Sequence, residues 1–246
     1  MLPDDRVATA GPEPPEDRVT WGMGDALAGT LLTILVPGLV IAVVAGATGD
    51  TELDDLSLSA VALLQVPLWA GLLGAPLWST YAKGRRSLND DFGLRMRWSD
   101  VPLGIGAGLG GQLVMVAVIA VVYQLLGVDT DQVGTSAREL ADGATDVVGV
   151  VLLVGIVAVA APLFEELFYR GLWLRSVERR WGRAWAVVVS SLVFGAIHFQ
   201  VYDFPALFGF GVIAAILTVR TGRLGPAIWA HVAFNLTAVT FLLAGG

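Results

Sequence analysis

The chain has 246 residues, of which 55% are hydrophobic and 15% charged, with a formal net charge of −7 and a mean hydropathy of +0.71. Soluble globular chains carry about 25% charged residues, so this composition excludes an ordinary soluble enzyme and fits a polytopic membrane protein folded as one bundle. There are no cysteines, which removes disulfides, thiolate metal sites and a cysteine nucleophile from consideration; no basic patch interleaved with aromatics points to nucleic acid.

Residues 1–24 are rich in Pro, Asp and Glu, a composition that cannot bury a core and predicts a disordered acidic tail. Apolar runs then follow at about 26–47, 58–81, 101–127, 147–170, 184–202, 205–220 and 224–244. Most reach the ~20 residues needed to cross a bilayer as a helix. The first run starts after a polar stretch and is followed by no A-x-A-like cleavage site, so it reads as a retained helix. The expected fold class is therefore all-α: a polytopic transmembrane bundle of about seven helices enclosing an intramembrane polar cavity. Three regions are expected: the tail 1–24, three helices with their loops over 25–146, and four helices over 147–244.

Loop charge predicts the orientation. The connections after the second, fourth and sixth runs carry Lys83, Arg85, Arg86, Arg95, Arg97, Arg175, Arg179, Arg180, Arg183, Arg220 and Arg223, whereas those after the first, third and fifth carry only Arg138. By the positive-inside rule the N-terminus and the basic loops face the cytoplasm, and a bacterial plasma membrane is the expected location.

Ionisable groups inside apolar spans are rare and usually functional. The fourth span carries Glu165 and Glu166, with Arg170 four residues after Glu166. Positions i and i+4 share a helix face, so Arg170 is set to pair with Glu166. Glu165 lies about 100° around the helix and has no partner of its own there. A lone carboxylate in low dielectric suits a general base. Pro162, one turn earlier, is expected to kink the helix and free a backbone carbonyl.

The fifth span carries Phe194 and His198, again i and i+4; the last span carries His231 and Asn235 at the same spacing. These are the chain's only two histidines. With a bend near Trp181–Arg183, Glu165 lies 17 residues before its centre and His198 16 after it. At ~1.5 Å per residue both stand about 25 Å from the bend, level in an antiparallel pair. His231 and Asn235 can both donate hydrogen bonds in one direction, as an oxyanion requires.

Each motif alone has a bland alternative. A Glu–Arg pair can be structural, a membrane histidine can simply hydrogen-bond to a carbonyl, and the His–Asn pair can be interhelical glue. Other motifs carry less. Gly106-Ala-Gly108-Leu-Gly110-Gly111 fits a dinucleotide fingerprint but opens an apolar helix and follows no strand, so close helix packing explains it better. Gly22-Met-Gly24-Asp25 and Tyr202-Asp203 match aspartyl-protease motifs only in reversed order and at helix ends. HExxH is absent, and Ser190 and Ser191 lie in no GxSx motif.

The trio EExxxR, FxxxH and HxxxN, in this order on successive apolar helices over roughly residues 147–244, resembles the CPBP family. That family includes the Ras-converting CAAX endopeptidase and bacterial Abi-like or bacteriocin-processing homologues. The resemblance implies a glutamate-dependent intramembrane endopeptidase with an all-helical fold. It makes Glu165 the base that activates water, with His198 helping to hold that water. His231 and Asn235 become the oxyanion pair, and Glu166 and Arg170 the supports that position Glu165. It further implies a peptide or protein substrate at the lipid bilayer and no cofactor. A zinc site from one Glu, two His and Asn is conceivable, but Asn is a poor zinc ligand and direct glutamate chemistry is favoured. Two rivals remain: a non-catalytic immunity or scaffold protein keeping the fold, and a small ion-coupled transporter. The transporter would show an inverted repeat, and the two halves here differ in polarity.

Overall fold

The computed structural model describes residues 19–48 and 58–245. Most of the expected acidic tail and the loop bearing Glu52, Asp54 and Asp55 lie outside these residues. The helices are α1 (Met23–Thr48), α2 (Leu58–Lys83), α3 (Leu88–Phe92), α4 (Asp100–Leu126), α5 (Thr135–Asp142), α6 (residues 147–181), α7 (residues 183–196), α8 (Phe204–Thr221) and α9 (Gly225–Leu243). There is no strand among the described residues. Five helical runs are long and apolar enough to cross a membrane: Met23–Ala47, Asp100–Leu126, Val147–Ala196, Phe204–Thr221 and Gly225–Leu243. The protein is thus a multi-pass helical bundle, as its composition requires. Leucines and valines of α1 and α4 such as Leu31, Leu35, Leu113 and Leu125 face outward, the pattern of a helix solvated by lipid.

The core gathers on α6, with Phe168, Leu172 and Leu174 packed among Leu72 of α2, Phe194 of α7, Phe210 and Ala214 of α8, and Ala227 and Ala230 of α9. The glycine-rich start of α4 is a packing surface, as expected. Gly104, Gly108 and Gly111 are buried, while Gly106 and Gly110 meet open space. A methyl at Gly104 would lie 2.5 Å from Trp229 Cβ and 2.6 Å from the Pro226 carbonyl; at Gly108 it would strike the Ala230 carbonyl. Small residues one turn apart bring α4 and α9 to backbone contact. Gly108→Leu should therefore lower the midpoint of thermal unfolding in detergent, by about 1–3 kcal/mol of overpacking. Gly110→Leu, on the open face of the same helix, should leave it within about 0.5 kcal/mol.

Two expectations need correction. The tail was expected to reach residue 24, but its last residues are structured. Trp21 is buried against Phe92, ring centroids 4.8 Å apart, with the Arg179 guanidinium 3.6 Å above its ring. Thr20 N–H donates to the Lys83 carbonyl (2.8 Å), and Lys83 pairs with Asp25 (2.6 Å). An indole with a cation to stack on gains more by docking than its acidic neighbours lose. Secondly, the fifth helix was expected to run to 202 but ends at Ala196. Phe199 has φ 55°, a left-handed backbone that closes a helix. Residues 197–203 turn into α8, where the Asp203 carboxylate accepts from Gly134 N–H (2.9 Å) and Tyr123 donates to the Tyr202 carbonyl (2.7 Å).

Helix α6 is not a plain α-helix. It widens to π geometry over Val154–Ala160 and again over Glu166–Trp173. In the first wide turn Ala161 N–H reaches back five residues to the Ile156 carbonyl. The next donor in that register would serve Val157, but it is Pro162, which has no N–H. The proline thus leaves the Val157 carbonyl without a backbone partner, and the wide turn takes up its ring. Past Trp181 the chain reverses at Gly182 (φ 82°, ψ 176°), the bend expected between the two helices.

Candidate active site

Glu165 and Glu166 stand between the two wide turns of α6. Glu166 and Arg170 are fully buried, and they pair as the i,i+4 spacing predicts, with Arg170 Nη1 3.2 Å from Glu166 Oε1. A guanidinium at that depth loses its hydration, and not every donor is replaced: Nε and Nη1 have no hydrogen-bond partner among the described residues, Nη1 facing Glu166 as an ion pair. Arg170 Nη2 donates to the Gly211 carbonyl of α8 (3.2 Å), and its plane lies 4.5 Å above the Phe194 ring. Gly211 also lets α7 and α8 pack closely, since a methyl there would lie 2.9 Å from Ser191 Cβ.

The same carboxylate oxygen also meets the last helix. His231, itself buried, has Nδ1 2.8 Å from Glu166 Oε1. With Nδ1–H donated to the carboxylate, the tautomer is fixed and the ring's other nitrogen faces the opposite way. That nitrogen, Nε2, stands 3.8 Å from Glu165 Oε2. Glu166, Arg170 and His231 therefore form a buried hub, and Glu165 lies on its open side, with 15% of its side chain exposed against none for Glu166. Phe210 and Phe194 wall the imidazole at 4.5 and 5.7 Å between ring centroids.

His198 and Asn235 join this group less directly. His198 bonds to its own helix, Nδ1 to the Phe194 carbonyl at 2.7 Å, and its ring packs on the edge of Phe194 at 4.9 Å. It makes no hydrogen bond to either glutamate; the shared Phe194 ring connects it to His231 and Arg170. Asn235 is partly buried, and its amide nitrogen donates to the Val157 carbonyl (2.8 Å). This is the acceptor that Pro162 orphans. The carboxamide thus spends one of its two N–H donors on holding α9 to the first wide turn of α6, and one is left for another acceptor. Asn235→Ala should lower stability by about 1 kcal/mol, because it leaves a partly buried carbonyl unpaired, and should displace Glu165 relative to His231. Thermal unfolding, with turnover measured on the same sample, checks both.

Several elements were not visible in the sequence reading. Helix α8 contributes the Gly211 carbonyl and the Phe210 wall, although nothing in its sequence marks it polar. Tyr169 is buried one turn after Glu165, edge-on to Phe194 at 5.2 Å. Three other polar residues are structural: Asp25 pairs with Lys83, Asp203 ties the α7–α8 turn to Gly134 at the start of α5, and Ser191 bonds back to the Val187 carbonyl at 2.7 Å.

Residues 147–237, which hold all six of these polar side chains, match the family described as type II CAAX prenyl endopeptidase Rce1-like. Over 163 residues the chain is 24% identical to a protein of Bacillus subtilis (strain 168) named "Putative membrane peptidase YdiL". The alignment covers 65% of this chain and 61% of that protein, so the chain spans about three fifths of its relative's length. No solved structure matches the chain significantly.

Proposed function

Assignment of this chain to the CPBP family is supported by its C-terminal helices, and from that premise we propose that the protein is an intramembrane endopeptidase in which Glu165 activates the water that cleaves a peptide bond. The substrate class is a peptide or protein presented at the cytoplasmic side of a bacterial plasma membrane, either CAAX-like or a processed peptide. One observation carries the reading: a partly exposed carboxylate faces the free nitrogen of an imidazole whose other nitrogen is held by a fully buried carboxylate–guanidinium pair. A structural ion pair would need only Glu166 and Arg170. The second carboxylate and the oriented imidazole are left over for chemistry.

In this scheme Glu165 takes a proton from water, and the hydroxide attacks the scissile carbonyl. His231 acts as the imidazolium, its Nδ1–H held by Glu166 and its Nε2–H donated to the developing oxyanion, assisted by the remaining N–H of Asn235; such donors are worth about 10²–10³ in rate each. His198, on the far side of Phe194, helps to hold the water. Glu165 then returns its proton to the leaving amine. The scheme uses no metal. Comparative proteomics of membrane extracts tests the reading: precursors should accumulate in a Glu165→Ala strain and disappear when the wild-type chain is restored. Identical proteomes in the two strains would leave an immunity or scaffold role as the better reading.

A further inference from the structure

At the basic end of the bundle, away from the glutamates, a cavity of about 650 Å³ opens between the α2–α4 connection, α6 and the α8–α9 turn. Five arginines line it: Arg85, Arg95, Arg97, Arg175 and Arg223; Asp90 and Asp91 are its only acidic lining residues. Four of the guanidinia are held by neighbours, those of Arg85 and Arg95 by residues that themselves line the pocket. Arg95 bonds to Asn89 and Asp90, Arg175 to Glu178 (2.9 Å), Arg223 to Asp100, and Arg85 to the Asp90 carbonyl (3.4 Å). Each guanidinium has five donors, so the bonds to Arg85, Arg95 and Arg175 leave N–H groups on each uncommitted. The Arg97 guanidinium makes no hydrogen bond or close ion pair among the described residues, although it feels the charge of Asp100. A preformed arginine fork is the protein's way of reading a phosphate.

The surroundings identify where that phosphate comes from. Trp98, next to Arg97, is 93% exposed, and Trp78, Tyr81, Trp181 and Trp185 are exposed on the same end of the bundle. Exposed tryptophan and tyrosine collect at the headgroup level of a bilayer, and basic pockets between membrane helices on the cytoplasmic side take anionic headgroups. We propose that this pocket binds the phosphodiester headgroup of an anionic phospholipid of the cytoplasmic leaflet. The lipid would then tie α3, α6 and the turn leading into the His231 helix to one another at the membrane surface.

Native mass spectrometry of the full-length protein in detergent, with phosphatidylglycerol or phosphatidylcholine added, tests this without any peptidase assay, so its outcome is independent of the proposed reaction. The wild-type protein should keep phosphatidylglycerol several-fold better than phosphatidylcholine. Arg97→Gln, at an exposed residue the fold does not use, should weaken that preference, and Arg97→Gln/Arg175→Gln should abolish it. Arg138→Gln, on the oppositely charged end, should keep it in full. Equal retention of phosphatidylglycerol by the wild type and the double variant would overturn the proposal. So would displacement of the lipid by inorganic phosphate, which would make the pocket a site for a soluble anion.

Discussion

Glu165→Gln should reduce turnover of a cleaved peptide by about 10²–10⁴, the usual worth of a positioned general base, while leaving the unfolding midpoint near wild type. The amide keeps the size of the side chain, and the closest charged contact Glu165 has to lose is the 3.8 Å approach to His231. Because the change touches proton transfer and not recognition, KM should move little while kcat falls. Chelating agents should leave the wild-type rate unaltered in the same assay. Cleavage by the glutamine variant at the wild-type rate would remove Glu165 from the chemistry; a wild-type rate that collapses on chelation and returns with added zinc would replace the metal-free scheme.

Arg170→Leu should be the most destabilising substitution in the bundle. Arg170 and Glu166 are both fully buried, and removing one partner leaves the other as an uncompensated charge, at about 3–5 kcal/mol. The Gly211 carbonyl also loses its donor. The double variant Glu166→Gln/Arg170→Leu should recover part of that loss, because no net charge remains buried. Thermal unfolding in detergent separates the cases. If the single variant were as stable as wild type, the hub would not be holding α6, α8 and α9 together, and the placement of Glu165 would need another cause. A double variant less stable than the single would show that packing, and not charge, dominates there.

Much of this was legible from the residues in order. Apolar run lengths gave the long helices, and the glycines of α4 gave its packing face. The i,i+4 spacing gave the Glu166–Arg170 pair, and Gly182 falls at the expected bend. These are local properties, set by periodicity and backbone chemistry. What could not be read depends on partners distant in sequence. The i,i+4 spacing with His231 and the family resemblance gave Asn235 to an oxyanion, yet one of its donors is claimed by Val157, 78 residues earlier. The expectation that Pro162 would free a carbonyl was sound; which side chain would find it was not deducible. Trp21 looked like part of a charged tail until Phe92 and Arg179 appeared beside it. The level placement of Glu165 and His198 assumed a helix to residue 202, whereas His198 follows the last turn of α7 and reaches the cluster only through Phe194.

The wide turns of α6 also set the spacing tolerance of the chain. A π turn holds one residue more than an α turn, so the stretch Val154–Ala160 amounts to an insertion absorbed within a helix. Excising one residue there, Gly155 for instance, would let the segment relax to ordinary pitch with the helix beyond it nearly in register. The ordinary α turn that follows, Ala161–Glu165, has no such slack: removing one residue from it would rotate both carboxylates about 100° away from the imidazole without a single polar residue having been changed. Length, in this segment, is as much a determinant of the site as the identity of its side chains.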